Sequence, residues 1–213
     1  MPKADFQHVT EWVFDMDHTL YPANDALFSQ IEVKMTDYVT KITGFDRSQS
    51  DALRRHYWDQ YGASLAGLVK HHKVDPHDFL HHVHDIDYSV LTPSPDLIAA
   101  LDQLRGRKIV FTNGPRAYAD RVLTQLGLQG AFDDVFGTED CDLIPKPERR
   151  AYEQIFAKAS LTPTQAAMFE DSHANLRVPH EMGMKTVLVH HTAEGDHIHH
   201  HTECLPSFLR QIA

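Results

Sequence analysis

Four short stretches of this chain carry side chains that could do chemistry together. Asp15-Met-Asp17-His-Thr19-Leu-Tyr21 follows an apolar, β-branched run from Val9 to Phe14. Thr112-Asn113-Gly114 follows a second run, Pro145-Lys146-Pro147 stands before a predicted helix, and Glu170-Asp171-Ser172, with Asn175 after it, follows a third run. Two carboxylates one residue apart on a loop can take different duties, one attacking or binding metal while the other transfers protons. A third carboxylate from another strand completes a hard oxygen site of the kind that suits Mg²⁺. Thr112 and Asn113 offer a hydroxyl, an amide and backbone N–H groups to phosphate oxygens, and Lys146 sets a positive charge against a phosphoryl group and Asp15. Catalysis of phosphoryl transfer is mostly positioning and charge stabilisation, so this inventory suffices for it.

These residues need a scaffold that delivers them to one place. Strands are predicted over residues 9–14, 108–112, 134–136, 166–169 and 186–189, alternating after residue 95 with helices over 96–104, 116–127, 148–159, 176–183 and 206–212. That alternation implies βαβ units around a parallel sheet. Between the first strand and the others the pattern is helical. Leu27, Ile31, Met35, Tyr38 and Ile42 recur at amphipathic spacing, with Gly44 as the C-cap, and further helices are expected over 49–61, 65–71 and 76–84. Leu91-Thr-Pro-Ser-Pro95 reads as a linker. The expected fold class is therefore α/β, a Rossmann-like parallel-sheet core formed by residues 1–20 and 93–213, interrupted by an all-helical module over 21–92. In such sheets ligands bind beyond the carboxyl ends of the strands, which is where all four stretches fall.

Composition narrows the function classes. The 213 residues are 42% hydrophobic and 23% charged, enough to bury a core without covalent staples. No apolar run is long enough for a membrane span. Met1 to Asp5 lacks the apolar stretch of a signal peptide, and Cys141 and Cys204 show no metal or redox spacing, so a cytoplasmic location is expected. A net charge of −10 disfavours binding to a nucleic-acid polymer. The 17 histidines, if all protonated, would bring that charge to +7, which makes the surface pH-sensitive. His197 to His201 are read as a solvated loop before the last helix, and Trp12 and Phe14 as core.

The order DxDxT, strand-Thr-Asn, Lys, acidic pair resembles the haloacid dehalogenase superfamily, and the helical insert after the first motif resembles its small helical cap. Within that superfamily the chain is similar to the pyrimidine 5′-nucleotidase group. The likeness rests on Phe14-Asp-Met-Asp-His-Thr-Leu-Tyr-Pro22, Tyr61-Gly-Ala-Ser-Leu-Ala-Gly-Leu68, Phe79-Leu-His-His-Val-His-Asp-Ile-Asp-Tyr88, Ile109-Val-Phe-Thr-Asn-Gly114, Ile144-Pro-Lys-Pro147, Met168-Phe-Glu-Asp-Ser172 and Gly183-Met-Lys-Thr-Val187. Ala63 and Ser64 depart from the threonine-like residues expected there. The resemblance implies a Mg²⁺-dependent phosphatase. In it Asp15 would become an aspartyl-phosphate, and Asp17, steadied by Thr19, would serve as acid and base. Asp15, the Asp17 carbonyl and Asp171 would hold the metal, with Glu170 acting directly or through water. Thr112, Asn113 and Lys146 would bind phosphate. The partner would be a small phosphorylated metabolite, a pyrimidine nucleoside monophosphate on the closest likeness, with Tyr21, Tyr61 and Ser64 as substrate contacts. A phosphosugar or pyridoxal-phosphate phosphatase or a phosphomutase on the same scaffold is the alternative. Asp17 disfavours dehalogenation, and the complete set disfavours a non-catalytic binding protein.

Overall fold

β1 (Glu11–Phe14) is buried on both faces from Trp12 onward, which is why Trp12-Val13-Phe14 reads as an unbroken apolar run rather than an alternating one. In this computed structural model, which describes residues 2–23, 25–61, 63–189 and 195–213, β1 is a central strand of a six-stranded parallel sheet. The other strands are β2 (Arg107–Phe111), β3 (Asp134–Phe136), β4 (Ala166–Glu170), β5 (Lys185–Val189) and β6 (His200–Thr202). Their order is β3-β2-β1-β4-β5-β6. From β1 the chain builds outward to β3 on one side, and from β4 to β6 on the other. The topological switch point therefore lies between β1 and β4, and the loops that leave these two strands carry Asp15 and Asp171.

Register follows from packing. Val13 pairs with Ile109 and Met168, and all three enter one apolar cluster with Phe111, Tyr152 and Ile155. Phe14 turns the other way and stacks on Phe169 at 4.7 Å between ring centroids. A one-residue slip would exchange these two faces, so the pairing is tightly specified.

The chain divides into two compact units, residues 1–23 with 91–213 and residues 24–90. The first holds the sheet with α5 (Pro95–Gln103), α6 (Arg116–Gln125), α7 (Arg149–Lys158), α8 (Arg177–Glu181) and α9 (Leu205–Ile212). Ser94 caps α5 and Pro95 occupies its first turn, so the proline expected to act as linker starts the helix instead. Leu205, Phe208, Leu209 and Ile212 line the buried stripe of α9.

The second unit is helical, as its periodicity predicts: α1 (Asp25–Thr43), α2 (Arg47–Tyr61), α3 (Ser64–His72) and α4 (Pro76–Val83). Leu27, Ile31, Tyr38 and Val39 form the buried face of α1, and Gly44 follows it at φ 73°. Asn24 and Gly62, which fall within stretches read from the sequence, lie outside the described residues.

A further expectation is corrected. His200–Thr202 are a strand, not loop: β6 pairs in parallel with β5 through Val187 and His200, Leu188 and His201, and Val189 and Thr202. An edge strand needs backbone partners on one side only, so its side chains need show no apolar alternation, and three polar residues, none of them buried, gave no signal. The helix expected over 176–183 is also shorter, a 3₁₀ turn at His173–Leu176 running into α8.

Candidate active site

The β1 ladder extends one residue past the strand, where the Asp15 N–H donates to Phe169 O at 2.9 Å. The chain then turns tightly. Leu20 N–H donates to Met16 O at 3.0 Å, and His18 takes the left-handed conformation at φ 62°. Histidine is among the residues that tolerate this region. The turn brings Thr19 Oγ1 back to donate to Asp15 Oδ2 at 2.9 Å, so Thr19 steadies Asp15 and not, as expected, Asp17.

Lys146 meets the other oxygen. Its Nζ donates to Asp15 Oδ1 at 2.6 Å, to Glu170 Oε2 at 2.8 Å and to Phe111 O at 3.0 Å. All three ammonium hydrogens are thus engaged by protein oxygens. The backbone beneath is clamped by Asn113, which donates through Nδ2 to Lys146 O at 3.2 Å and accepts at Oδ1 from Lys146 N at 2.8 Å. Thr112 Oγ1 accepts from Gly114 N at 3.0 Å, which closes the turn after β2 and leaves the hydroxyl proton to donate elsewhere.

Glu170 is buried and engaged at both oxygens, since Oε1 also accepts from Asn175 Nδ2 at 2.9 Å and from Ser172 N at 3.3 Å. Asn175 is held in turn by Tyr152, whose hydroxyl donates to Asn175 O at 2.7 Å. Asp171 Oδ2 lies 3.7 Å from His18 Nδ1. Asp15, Glu170 and Asp171 offer carboxylate oxygens within 4.8 Å of one another.

The electrostatics follow from burial. Removal from water pushes the Asp15 carboxyl up against the pull of Lys146, and pushes Glu170 up to about 8, with the Asp15 charge adding to the rise. Burial alone would lower Lys146, but Asp15 and Glu170 outweigh it and hold the ammonium above its ordinary value. For Asp171 the hydrogen bond and charge of His18 outweigh burial and leave it below the usual range. Asp17 rises to about 6, first through burial and then through Asp15. The pocket holds more buried negative charge than one lysine offsets. A hard divalent cation fits that excess and that oxygen-only donor set.

Side chains from four sequence segments thus lie together, and Tyr21 joins them: it is buried and its hydroxyl donates to Asp17 Oδ1 at 2.6 Å. Tyr61 and Ser64 belong to the helical unit. There the Tyr61 hydroxyl pairs with His71 Nε2 at 2.7 Å, and the buried Ser64 hydroxyl donates to Arg54 O at 2.8 Å. Sequence reasoning missed Tyr118, whose hydroxyl donates to Asp17 Oδ1 at 2.8 Å from a helix 101 residues away. It also missed His18, whose partner Asp171 comes from the loop after β4. Neither residue stands in a pattern that spacing alone marks as functional.

A family model described as haloacid dehalogenase-like hydrolase matches residues 12–183. The chain belongs to this family. Two curated proteins are similar to it. Phosphate metabolism protein 8 of Saccharomyces cerevisiae is 27% identical over 193 residues, 82% of this chain and 60% of the yeast protein. Validoxylamine A 7′-phosphate phosphatase of Streptomyces hygroscopicus subsp. limoneus is 32% identical over 89 residues, 42% of this chain and 41% of that protein. The chain therefore matches less than two thirds of the length of each. Among solved structures, a haloacid dehalogenase-type phosphatase from Thermococcus onnurineus superposes with a TM-score of 0.70 at 19% identity, covering 96% of this chain and 97% of the other. L-2-haloacid dehalogenase from Xanthobacter autotrophicus superposes with a TM-score of 0.54 at 15% identity over 87% of this chain and 79% of its own. These two likenesses concern the haloacid dehalogenase fold.

Proposed function

We propose that this chain is a phosphatase that hydrolyses small phosphate monoesters through an aspartyl-phosphate at Asp15. The observation that carries the reading is Lys146 Nζ bridging Asp15 and Glu170 at the switch point of the sheet, with Asp171 beside them. In the first step an Asp15 oxygen bonds to phosphorus as the bond from phosphorus to the leaving oxygen breaks, and the Asp17 carboxylic proton passes to that oxygen to release an alcohol. In the second step water gives a proton to Asp17 and attacks phosphorus, the bond to Asp15 breaks, and inorganic phosphate leaves. The sum is one ester and one water converted to one alcohol and one phosphate. An Asp17 value near 6 suits a group that must donate and then accept.

Mg²⁺ would be held by Asp15, the Asp17 carbonyl and Asp171, and when bound would supply charge for the phosphoryl oxygens. Glu170, with both oxygens already accepting from Lys146, Asn175 and Ser172, would act on such a cation through water. Lys146 contributes charge rather than a free N–H. Because the side-chain amide of Asn113 is spent on Lys146, phosphate contact falls to the Thr112 hydroxyl and the backbone N–H of Asn113.

The finer reading is a pyrimidine nucleoside 5′-monophosphate as substrate, supported by the sequence resemblance that extends through the helical unit. A phosphate ester is also what the name of the Streptomyces relative states for that protein. Phosphate release over a panel of monophosphates, with and without Mg²⁺, tests both levels. UMP and CMP turned over faster than sugar phosphates support the finer reading. Equal rates remove it, and no Mg²⁺-dependent release from any ester removes the phosphatase.

A further inference from the structure

Asp17 is held by two phenols from distant parts of the chain. Tyr21 comes from the same loop, and Tyr118 from the first turn of α6. Both donate to one atom, Oδ1, at 2.6 and 2.8 Å. The two rings are buried, with Tyr21 5% and Tyr118 2% exposed, so neither hydroxyl reaches Asp17 as a surface accident. Gly114 makes the seat for Tyr118: a Cβ there would stand 2.6 Å from Tyr118 Cδ1. A phenol keeps its proton well above neutral pH, so both act as O–H donors to Asp17.

The consequence lies in which oxygen can carry a proton. An oxygen that already accepts two short O–H bonds has no lone pair conveniently left for its own hydrogen. We infer that Tyr21 and Tyr118 are a positioning pair that saturates Asp17 Oδ1 and thereby confines the transferable proton to Oδ2. This rests on the phosphatase reading of Asp17 and deepens it. In the first step the O–H bond at Oδ2 breaks as the leaving oxygen gains that hydrogen, and the new carboxylate charge gathers on Oδ1 under two donors. In the second step the same oxygen, Oδ2, takes the hydrogen back from water. Neither tyrosine exchanges a proton with the substrate; each acts through Asp17.

The discriminating readout is the dependence on the leaving group. A nitrophenyl phosphate departs as a stable anion without a proton, whereas an alkyl phosphate needs one. The value of kcat/KM, which reports the steps through phosphoryl transfer, is to be measured for both esters in the wild type, Tyr21→Phe, Tyr118→Phe and the double variant, with thermal melts to confirm folding. The expected result is a loss of roughly tenfold or more on the alkyl ester with a change under about threefold on the nitrophenyl ester, the pattern that removing a general acid produces. Tyr38→Phe serves as control. It removes a tyrosine–aspartate bond of similar length, 2.8 Å to Asp78 within the helical unit, and should leave the ratio of the two esters unchanged. Equal losses on both esters, or none in the double variant, overturn the positioning pair while the phosphatase stands. A wild type inactive on both esters overturns the phosphatase and the pair with it.

Discussion

Lys146 Nζ lies 2.6 Å from Asp15 Oδ1, and the two side chains are 1% and 7% exposed. A charge pair closed off from water to this degree persists only when each member neutralises the other, because desolvating either alone costs several kcal/mol. Here the lysine also serves Glu170, so one ammonium balances two carboxylates.

Removing that ammonium should be costly twice over. Lys146→Ala leaves Asp15 and Glu170 buried without a counter-charge, and a loss of about 3–5 kcal/mol in urea unfolding is expected. Because both carboxyls are pushed up by burial, they shed the penalty by protonating, so the deficit at pH 5 should be smaller than at pH 8. Activity should fall by about 10³-fold or more, the scale of losing a fixed charge at the reacting centre.

Asp17 trades stability for function, and pH reveals the exchange. Its value rises from the ordinary 3.8 to about 6 in the folded protein. A raised carboxyl favours folding below pH 4 and loses that contribution as pH climbs through about 6, where the folded state must hold the charge. Asp17→Asn does not titrate, so without divalent cation its stability relative to wild type should climb between pH 4 and 6 and level off above. For a half-buried group the gain should reach about 1–2 kcal/mol, read from melts across pH, while turnover of alkyl esters collapses.

Much of this was written in the sequence because local rules and the fold agree. β1 ends where the apolar run meets Asp15, and α1 ends where Gly44 follows Thr43. The four motifs meet because a parallel sheet brings strand ends to one rim. What stayed hidden depends on long-range pairing. Tyr118 occupies a buried position on α6 like any core aromatic, and nothing within ten residues indicates that its hydroxyl finds Asp17. β6 exists because β5 offers it an edge, a property of the assembled sheet that three polar residues do not announce. The double duty of Asn113, side chain for Lys146 and backbone for phosphate, is equally invisible in a Thr-Asn dipeptide.

Asn113→Ala should therefore behave as a lysine-positioning defect. It removes two hydrogen bonds to the Lys146 backbone, at about 1 kcal/mol each, so a loss of about 1–3 kcal/mol is expected. kcat should fall by roughly tenfold, the cost of slight misplacement of a charged group, with KM for phosphate esters changing less. An unchanged kcat beside a raised KM would place the side chain on phosphate instead.

Mg²⁺ should raise the melting temperature, since a cation that binds only the folded form at 100 times its Kd stabilises by about 2.7 kcal/mol. Asp171→Asn should abolish this shift. Glu170→Gln should keep part of it, because the glutamate oxygens are already engaged by Lys146, Asn175 and Ser172.

The most direct measurement is a chemical trap of the phosphorylated carboxylate. The protein is mixed with Mg²⁺ and an excess of a turned-over monophosphate, quenched in acid and reduced with borohydride, which converts an aspartyl-phosphate to homoserine, and its peptides are read by mass spectrometry. The account predicts homoserine at position 15 in the wild type and none in Asp15→Asn. Turnover with an unmodified Asp15, or the label on another carboxylate, would contradict it.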